Sequence, residues 1–137
     1  MKVIALSGLA ESGKTTTMNE LLKLFPSTIQ PTIVSNKIQL GNDLNDFMVE
    51  FTYNKQLVGI VSAGDPCRKG NQMVQEPILR QYYKRNFDVI ICVCRSNGKT
   101  VELLVKTIFS TIKVEFVKKI KGAFDDVAIA NQIFNKI

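Results

Sequence analysis

Eight residues near the amino end, Gly8-Leu9-Ala10-Glu11-Ser12-Gly13-Lys14-Thr15, constrain this chain more than any other stretch. Two glycines bracket four residues, and a lysine and a threonine follow at once. Glycine tolerates backbone angles that a Cβ forbids, so such a run turns tightly and aims successive N–H groups into one concavity. A concavity of amides suits the oxygens of a polyphosphate. At this spacing the Lys14 ammonium reaches the β- and γ-phosphates, and the Thr15 hydroxyl ligates Mg²⁺. The flanks agree. Val3-Ile4-Ala5-Leu6 is short, continuous and apolar, as a strand buried on both faces must be. Met18, Leu21, Leu22 and Phe25 form one apolar helix stripe, stopped by Pro26. Strand, turn and helix in this order point the positive end of the helix at the same anion.

Downstream, Ser27 to Thr32 is polar and turn-rich, Ile33-Val34 suggests a short extended piece, and Asn36 to Asp46 reads as loop. Phe47, Val49, Phe51 and Tyr53 alternate with Met48, Glu50 and Thr52, which predicts a strand with one buried face. Asn54-Lys55 fits a two-residue hairpin turn into the unbroken apolar run Leu57 to Val61. A helix is expected over about Val74 to Arg85, with Pro77 in its first turn, then a buried strand over Asp88 to Cys94. Val101, Leu104, Val105 and Ile108 give another helix stripe. Val114 and Phe116 suggest an edge strand, and Ala130, Ile133, Phe134 and Ile137 a last helix capped by Asp125 or Asp126.

These elements predict one α/β domain over residues 1–137, a three-layer α/β/α fold around a five-stranded, mostly parallel sheet. Unbroken apolar strands belong inside and alternating ones at the edges. The expected order is therefore the Phe47 hairpin strand, the Leu57 strand, the Val3 strand, the Val89 strand and the Val114 strand. Numbered along the chain that is 2-3-1-4-5, with only the hairpin strand antiparallel.

In such sheets ligands bind beyond the carboxyl ends of the strands, and this sorts the polar residues. The candidates are the turn 8–15, including Glu11 and Ser12, with the Glu11 carboxylate turned away from the polyphosphate. Ser62 to Asp65 and Arg95 to Thr100 follow at the same rim. An aspartate holding Mg²⁺ through water is expected where Val61 or Ser62 stands, so Asp65, a few residues late, becomes the metal and catalytic candidate. Gly64 offers an N–H to the γ-phosphate, and Arg95 and Lys99 offer charge for a transferring phosphoryl group. Arg68 and Lys69 are expected in a solvated loop. Asp88 begins its strand and belongs to the opposite rim. Gly98-Lys99-Thr100 is no second phosphate turn, because Val93 stands where the first glycine is needed.

A formal charge of +6 suits anionic ligands. Nucleic acid is not the expected partner, since no RNA-binding signature or basic stripe interleaved with aromatics is present. No apolar run approaches a membrane span, and the opening residues have too short an apolar core for a signal peptide. Cys67, Cys92 and Cys94 lack a histidine to complete a metal site, and two of them share one strand face. Reduced structural thiols in a cytoplasmic protein are expected.

The strand-turn-helix unit and sheet pattern resemble the P-loop NTPase superfamily. Gly8, Gly13, Lys14, Thr15 and Thr16 match its phosphate- and Mg²⁺-binding positions. The hairpin, Pro31-Thr32-Ile33 and Ala63-Gly64 look like the switch regions of small Ras-like GTPases, which would give Thr32 to the metal. However, Val61 replaces the aspartate of their Asp-x-x-Gly motif, and Asn36-Lys37-Ile38-Gln39 lacks the aspartate that reads guanine. Small-molecule kinases share the core but add a lid that is not evident here. Ser12 to Thr17, Gly64-Asp65 and Asp88 to Cys94 are most similar to small bacterial ATP-binding proteins without an assigned reaction. The resemblance implies a nucleoside-triphosphate-binding protein using Mg²⁺ and ATP, with GTP the alternative. Slow hydrolysis is expected, because no general base or arginine finger stands out. A kinase with a small acceptor, and a non-catalytic switch that binds a protein partner, are the alternatives.

Overall fold

A computed structural model describes residues 1–9, 13–26, 38–39, 46–64, 68–69, 72–96, 100–120 and 125–137. Along the chain come β1 (Lys2–Gly8), α1 (Lys14–Lys23), β2 (Ile38–Gln39), β3 (Phe47–Tyr53), β4 (Gln56–Val61), β5 (Arg68–Lys69) and β6 (Gln72–Met73). Then follow α2 (Gln75–Lys84), β7 (Val89–Arg95), α3 (Thr100–Ile108), β8 (Val114–Lys119) and α4 (Asp126–Phe134). No described helix is long and apolar enough to cross a membrane.

The main sheet runs β2-β3-β4-β7-β1-β8, with β4, β7, β1 and β8 parallel and β3 antiparallel to β4. Two expectations need correction. The expected order put the Val3 strand beside the Leu57 strand, but β7 lies between them, so the order of the five long strands becomes 2-3-4-1-5. All three are unbroken apolar runs, so burial makes each an interior strand without saying which neighbours which. The second correction concerns the hairpin edge. Within the stretch expected to be loop, Ile38 and Gln39 pair with Met48 and Phe47, so a two-residue sixth strand lies outside β3. Arg68 and Lys69, also expected in a loop, pair antiparallel with Met73 and Gln72 in a separate ribbon.

Asn54 and Lys55 both take positive φ, 50° and 63°, which is the two-residue turn that fits the twist of a hairpin. Strand alternation then splits the core. Ile4, Leu6, Val49, Phe51, Val58 and Ile60 face α1 and α4, where Met18, Leu21, Ala130 and Ile133 meet them. Val3, Ala5, Ile90 and Cys92 face α2 and α3 on the other side, against Leu79, Tyr82, Val101 and Val105. Helices therefore cover both faces. Pro77 is the third residue of α2, where its missing N–H costs no helical hydrogen bond.

Two close approaches set the sheet against its cover. Gly59 lies under Tyr82, and a Cβ there would come within 2.6 Å of the ring. Tyr82 itself is buried, stacks on Phe87 at 4.4 Å and donates its hydroxyl to the Val49 carbonyl. At the far end of α1, Phe25 meets Phe51, Tyr53 and Phe134 edge-on at 4.7, 5.1 and 5.3 Å. Burying such a ring contributes roughly 1.5–3 kcal/mol, which anchors the tail of α1 while its head carries polar residues.

Candidate functional site

β1 delivers Gly8 to the carboxyl rim between Arg95 of β7 and Lys119 of β8, its register partners on either side. From this rim the chain leaves in opposite directions. β1 feeds α1 on one face and β7 feeds α3 on the other, the change of direction beside which open α/β sheets bind their ligands.

Gly13 stands at the head of α1 with φ 88°, a left-handed conformation that glycine adopts without strain. A Cβ there would also crowd Asp126 Oδ1 at 3.3 Å and Lys119 Cε at 3.4 Å. Thr17 donates the first helical N–H, to the Gly13 carbonyl at 2.9 Å. Helix geometry gives the amides before it no acceptor inside the helix, and they carry the positive end of its dipole.

Lys14 is 7% exposed. Its ammonium donates to the carbonyls of Gly8 at 3.0 Å and Leu9 at 2.5 Å, and the Gly8 carbonyl also accepts the Ser96 amide. Thr15 donates its hydroxyl to Asp46 Oδ1 at 2.9 Å. Ser62 donates to the same oxygen at 3.2 Å and accepts the Phe47 amide at 2.7 Å. Exposed Thr16 lines a cavity of about 520 Å³ between α1 and α4, together with Glu20, Asp125, Asp126, Val127 and Ala128.

Behind the turn lies a second polar knot. Lys119 is 4% exposed and bridges Asp125 at 2.5 Å and Asp126 at 3.3 Å. Thr17 Oγ1 adds a 2.7 Å hydrogen bond to Asp126, tying α1, β8 and α4 together. Burial lowers the Lys119 pKa, but its bonds to the two carboxylates outweigh this and leave it raised. Asp125 occupies the cap position of α4 without a side-chain capping bond, because its carboxylate is turned to Lys119.

Among the expected site residues, Gly8, Gly13, Lys14 and Thr15 come together, with Thr16 beside them and half-buried Arg95 next to Gly8. Gly64 follows β4 and packs on β7, where a Cβ would meet Val93 at 2.5 Å, so close approach explains this glycine. Glu11, Ser12, Asp65, Thr32, Lys99 and Cys67 lie outside the described residues. Asp88 sits at the opposite rim, accepting the Leu57 amide. Cys92 and Cys94 are buried free thiols on the α2–α3 face. Burial pushes Cys94 up to about 11, partly opposed by a hydrogen bond with Ser7, so it stays protonated.

Two residues of this rim escaped the sequence reading, Asp46 and Lys119, and Ser62, expected at the rim, serves there as the anchor of Asp46. Asp46 precedes an antiparallel strand, and the strand-end rule looks only after parallel ones. For Lys119 a signal existed. The alternation of Val114, Phe116 and an apolar Val117 breaks down at a lysine that closes the strand, six residues before two aspartates.

Among the described residues no group of three or more His, Cys, Asp or Glu side chains is placed to hold a metal ion. Comparison with family models, curated proteins and solved structures finds no match to this chain.

Proposed function

We propose that this chain binds a nucleoside triphosphate with Mg²⁺ beside the ends of β1 and β7, and that it is a P-loop NTPase in fold and family. ATP is the expected nucleotide, since no guanine-reading motif stands in the sequence. One observation carries the reading. A left-handed glycine turns the chain into a helix head beside an almost buried ammonium whose described partners are two backbone carbonyls. A charge-assisted hydrogen bond from such an ammonium to a phosphate oxygen is stronger than one to a neutral carbonyl, so an anion there is favoured.

In this reading the amides at the head of α1 hold phosphate oxygens, and Lys14 turns from the carbonyls to the β- and γ-phosphates. The same charge then stabilises the transition state of phosphoryl transfer. Mg²⁺ prefers oxygen ligands, and the Thr15 hydroxyl with a carboxylate beside it meets that chemistry. Bound with the triphosphate, the ion would neutralise charge developing on the phosphate oxygens. The cavity that begins at Thr16 has the volume of a small-ligand site and lies where a nucleoside would leave the turn. Slow hydrolysis is the proposed reaction.

Titration of the protein and of Lys14→Ala with ATP, GTP and their diphosphates, with and without Mg²⁺, tests this. Lys14→Ala is expected to lose triphosphate affinity about 100-fold while the circular dichroism spectrum is unchanged, about 2.8 kcal/mol. Undiminished affinity would remove Lys14 from the site. ADP release that requires a small acceptor would instead make the protein a phosphotransferase. Tight binding without turnover, with protease resistance that differs between ATP and ADP, would make it a switch for a protein partner.

A further inference from the structure

We infer that Asp46 is the carboxylate that steadies the nucleotide-bound divalent cation beside Thr15, supplied from the start of an antiparallel strand. The inference rests on the proposal that the glycine turn binds a nucleoside triphosphate, and it adds a residue that nothing in the sequence motif names.

The placement follows from strand direction. β4 is parallel to β1 and ends at the carboxyl rim, where a metal-directed aspartate is expected at Val61 or Ser62. Neither residue is acidic. β3 runs the other way, so its first residues lie at the rim where β4 ends, and Met48 pairs with Val61. The residue just before β3 is Asp46.

Ser62 converts that proximity into a fixed position. It is 1% exposed, and its backbone N–H donates to the Phe47 carbonyl at 2.9 Å. Its hydroxyl oxygen accepts the Phe47 amide at 2.7 Å, which leaves the hydroxyl proton for Asp46 Oδ1 at 3.2 Å. The strand-end serine thus holds, through one hydrogen bond, the carboxylate that it lacks.

Hydrogen-bond direction supports a cation at the same place. Thr15 gives its proton to Asp46 Oδ1, so the lone pairs of Thr15 Oγ1 point elsewhere and are those a cation would use. A hydroxyl that donates to a carboxylate becomes a more basic ligand, as metal ligands do when their outer partners are anionic. An ionised carboxylate offers about four lone-pair sites, and metal-bound water is a suitable donor to such a group. Mg²⁺ is held in such sites through one or two carboxylates, water and substrate phosphates rather than by an all-protein cage.

A structural role makes a different prediction. If Asp46 only caps the head of α1 and closes the β3–β4 hairpin, an uncharged amide oxygen would serve Thr15 and Ser62 nearly as well, and metal would be irrelevant. Fluorescent-ATP titrations in excess EDTA and in excess Mg²⁺ separate the two, using the unmodified protein, Asp46→Asn and Lys14→Ala.

Asp46→Asn is expected to leave metal-free affinity within about twofold and to reduce the gain in affinity from Mg²⁺ about tenfold. An equal Mg²⁺ gain in Asp46→Asn and the unmodified protein overturns the inference, as does the absence of any gain in the unmodified protein. Should Asp46→Asn not fold, the unmodified protein with Mn²⁺-ATP decides. The ¹³C resonance of the Asp46 carboxyl is expected to broaden on Mn²⁺ binding, and an unbroadened resonance overturns the assignment. Lys14→Ala that keeps its triphosphate affinity in both arms defeats the nucleotide site itself, and the inference falls with it.

Discussion

Lys14 and Lys119 are both almost buried and both at the carboxyl rim, yet Lys14 donates to backbone carbonyls and Lys119 to carboxylates. Lys119 meets two carboxylates, so its charge is matched inside the fold. Lys14 donates to the carbonyls of Gly8 and Leu9 at the end of β1. A charge removed from water is costly unless it is paired. The β8–α4 corner meets that requirement with Asp125 and Asp126. In the proposed reading Lys119 serves stability and Lys14 serves binding.

The comparison breaks most sharply if the two lysines are removed in turn. Lys119→Met is expected to cost about 3 kcal/mol of unfolding free energy in urea titrations, because it strands two carboxylates, one of which, Asp126, also holds Thr17. That is the low end for a broken buried pair, since Asp125 and Asp126 are partly solvated. A loss under about 0.5 kcal/mol would show that the corner is no knot.

Gly13→Ala comes next. It forces φ 88° on a residue with a Cβ and pushes that atom towards Asp126 and Lys119. A cost of about 1–2 kcal/mol is expected. Lys14→Ala should change stability least of the three, by less than about 1 kcal/mol, since water entering in place of the side chain can take up the Gly8 and Leu9 carbonyls. Its effect is reserved for triphosphate affinity. A variant at position 14 that unfolds the protein would erase the distinction.

The smallest effect is a matter of pH. In the folded protein the Lys119 pKa is raised, because its bonds to Asp125 and Asp126 outweigh burial. Its stabilisation is therefore fully present below the unfolded value and is lost as pH rises through the folded one. The stability difference between the unmodified protein and Lys119→Met should hold below about pH 10.5 and shrink as pH rises above it. Cys94, held protonated up to about 11, lowers stability in the same direction but contributes equally to both proteins. A difference that grows with pH would contradict the ion-pair assignment.

Much of the site was legible because it is local. The glycines, Lys14 and Thr15 lie within eight residues, and the strand before and helix after them announce themselves by continuity and by 3.6-residue spacing. The hairpin was legible for the same reason, since Asn54 and Lys55 tolerate the positive φ that the turn demands. Strand order was not. Val3–Leu6, Leu57–Val61 and Val89–Cys94 carry the same signal of two-sided burial, and exchanging two of them leaves every residue equally buried.

The sequence alone determined that a strand must run into a glycine turn and a helix here, that an ammonium and a hydroxyl stand at the helix head, and that helices cover both faces of a sheet. These follow from backbone freedom and from periodicity, which act over a few residues. Only the tertiary structure decided that β7 separates β4 from β1, that Asp46 meets Thr15 across a separation of 31 residues, and that Lys119 meets Asp125 and Asp126. Strand direction and register bring those groups together, and both are settled by how complete elements pack rather than by any short stretch of chain.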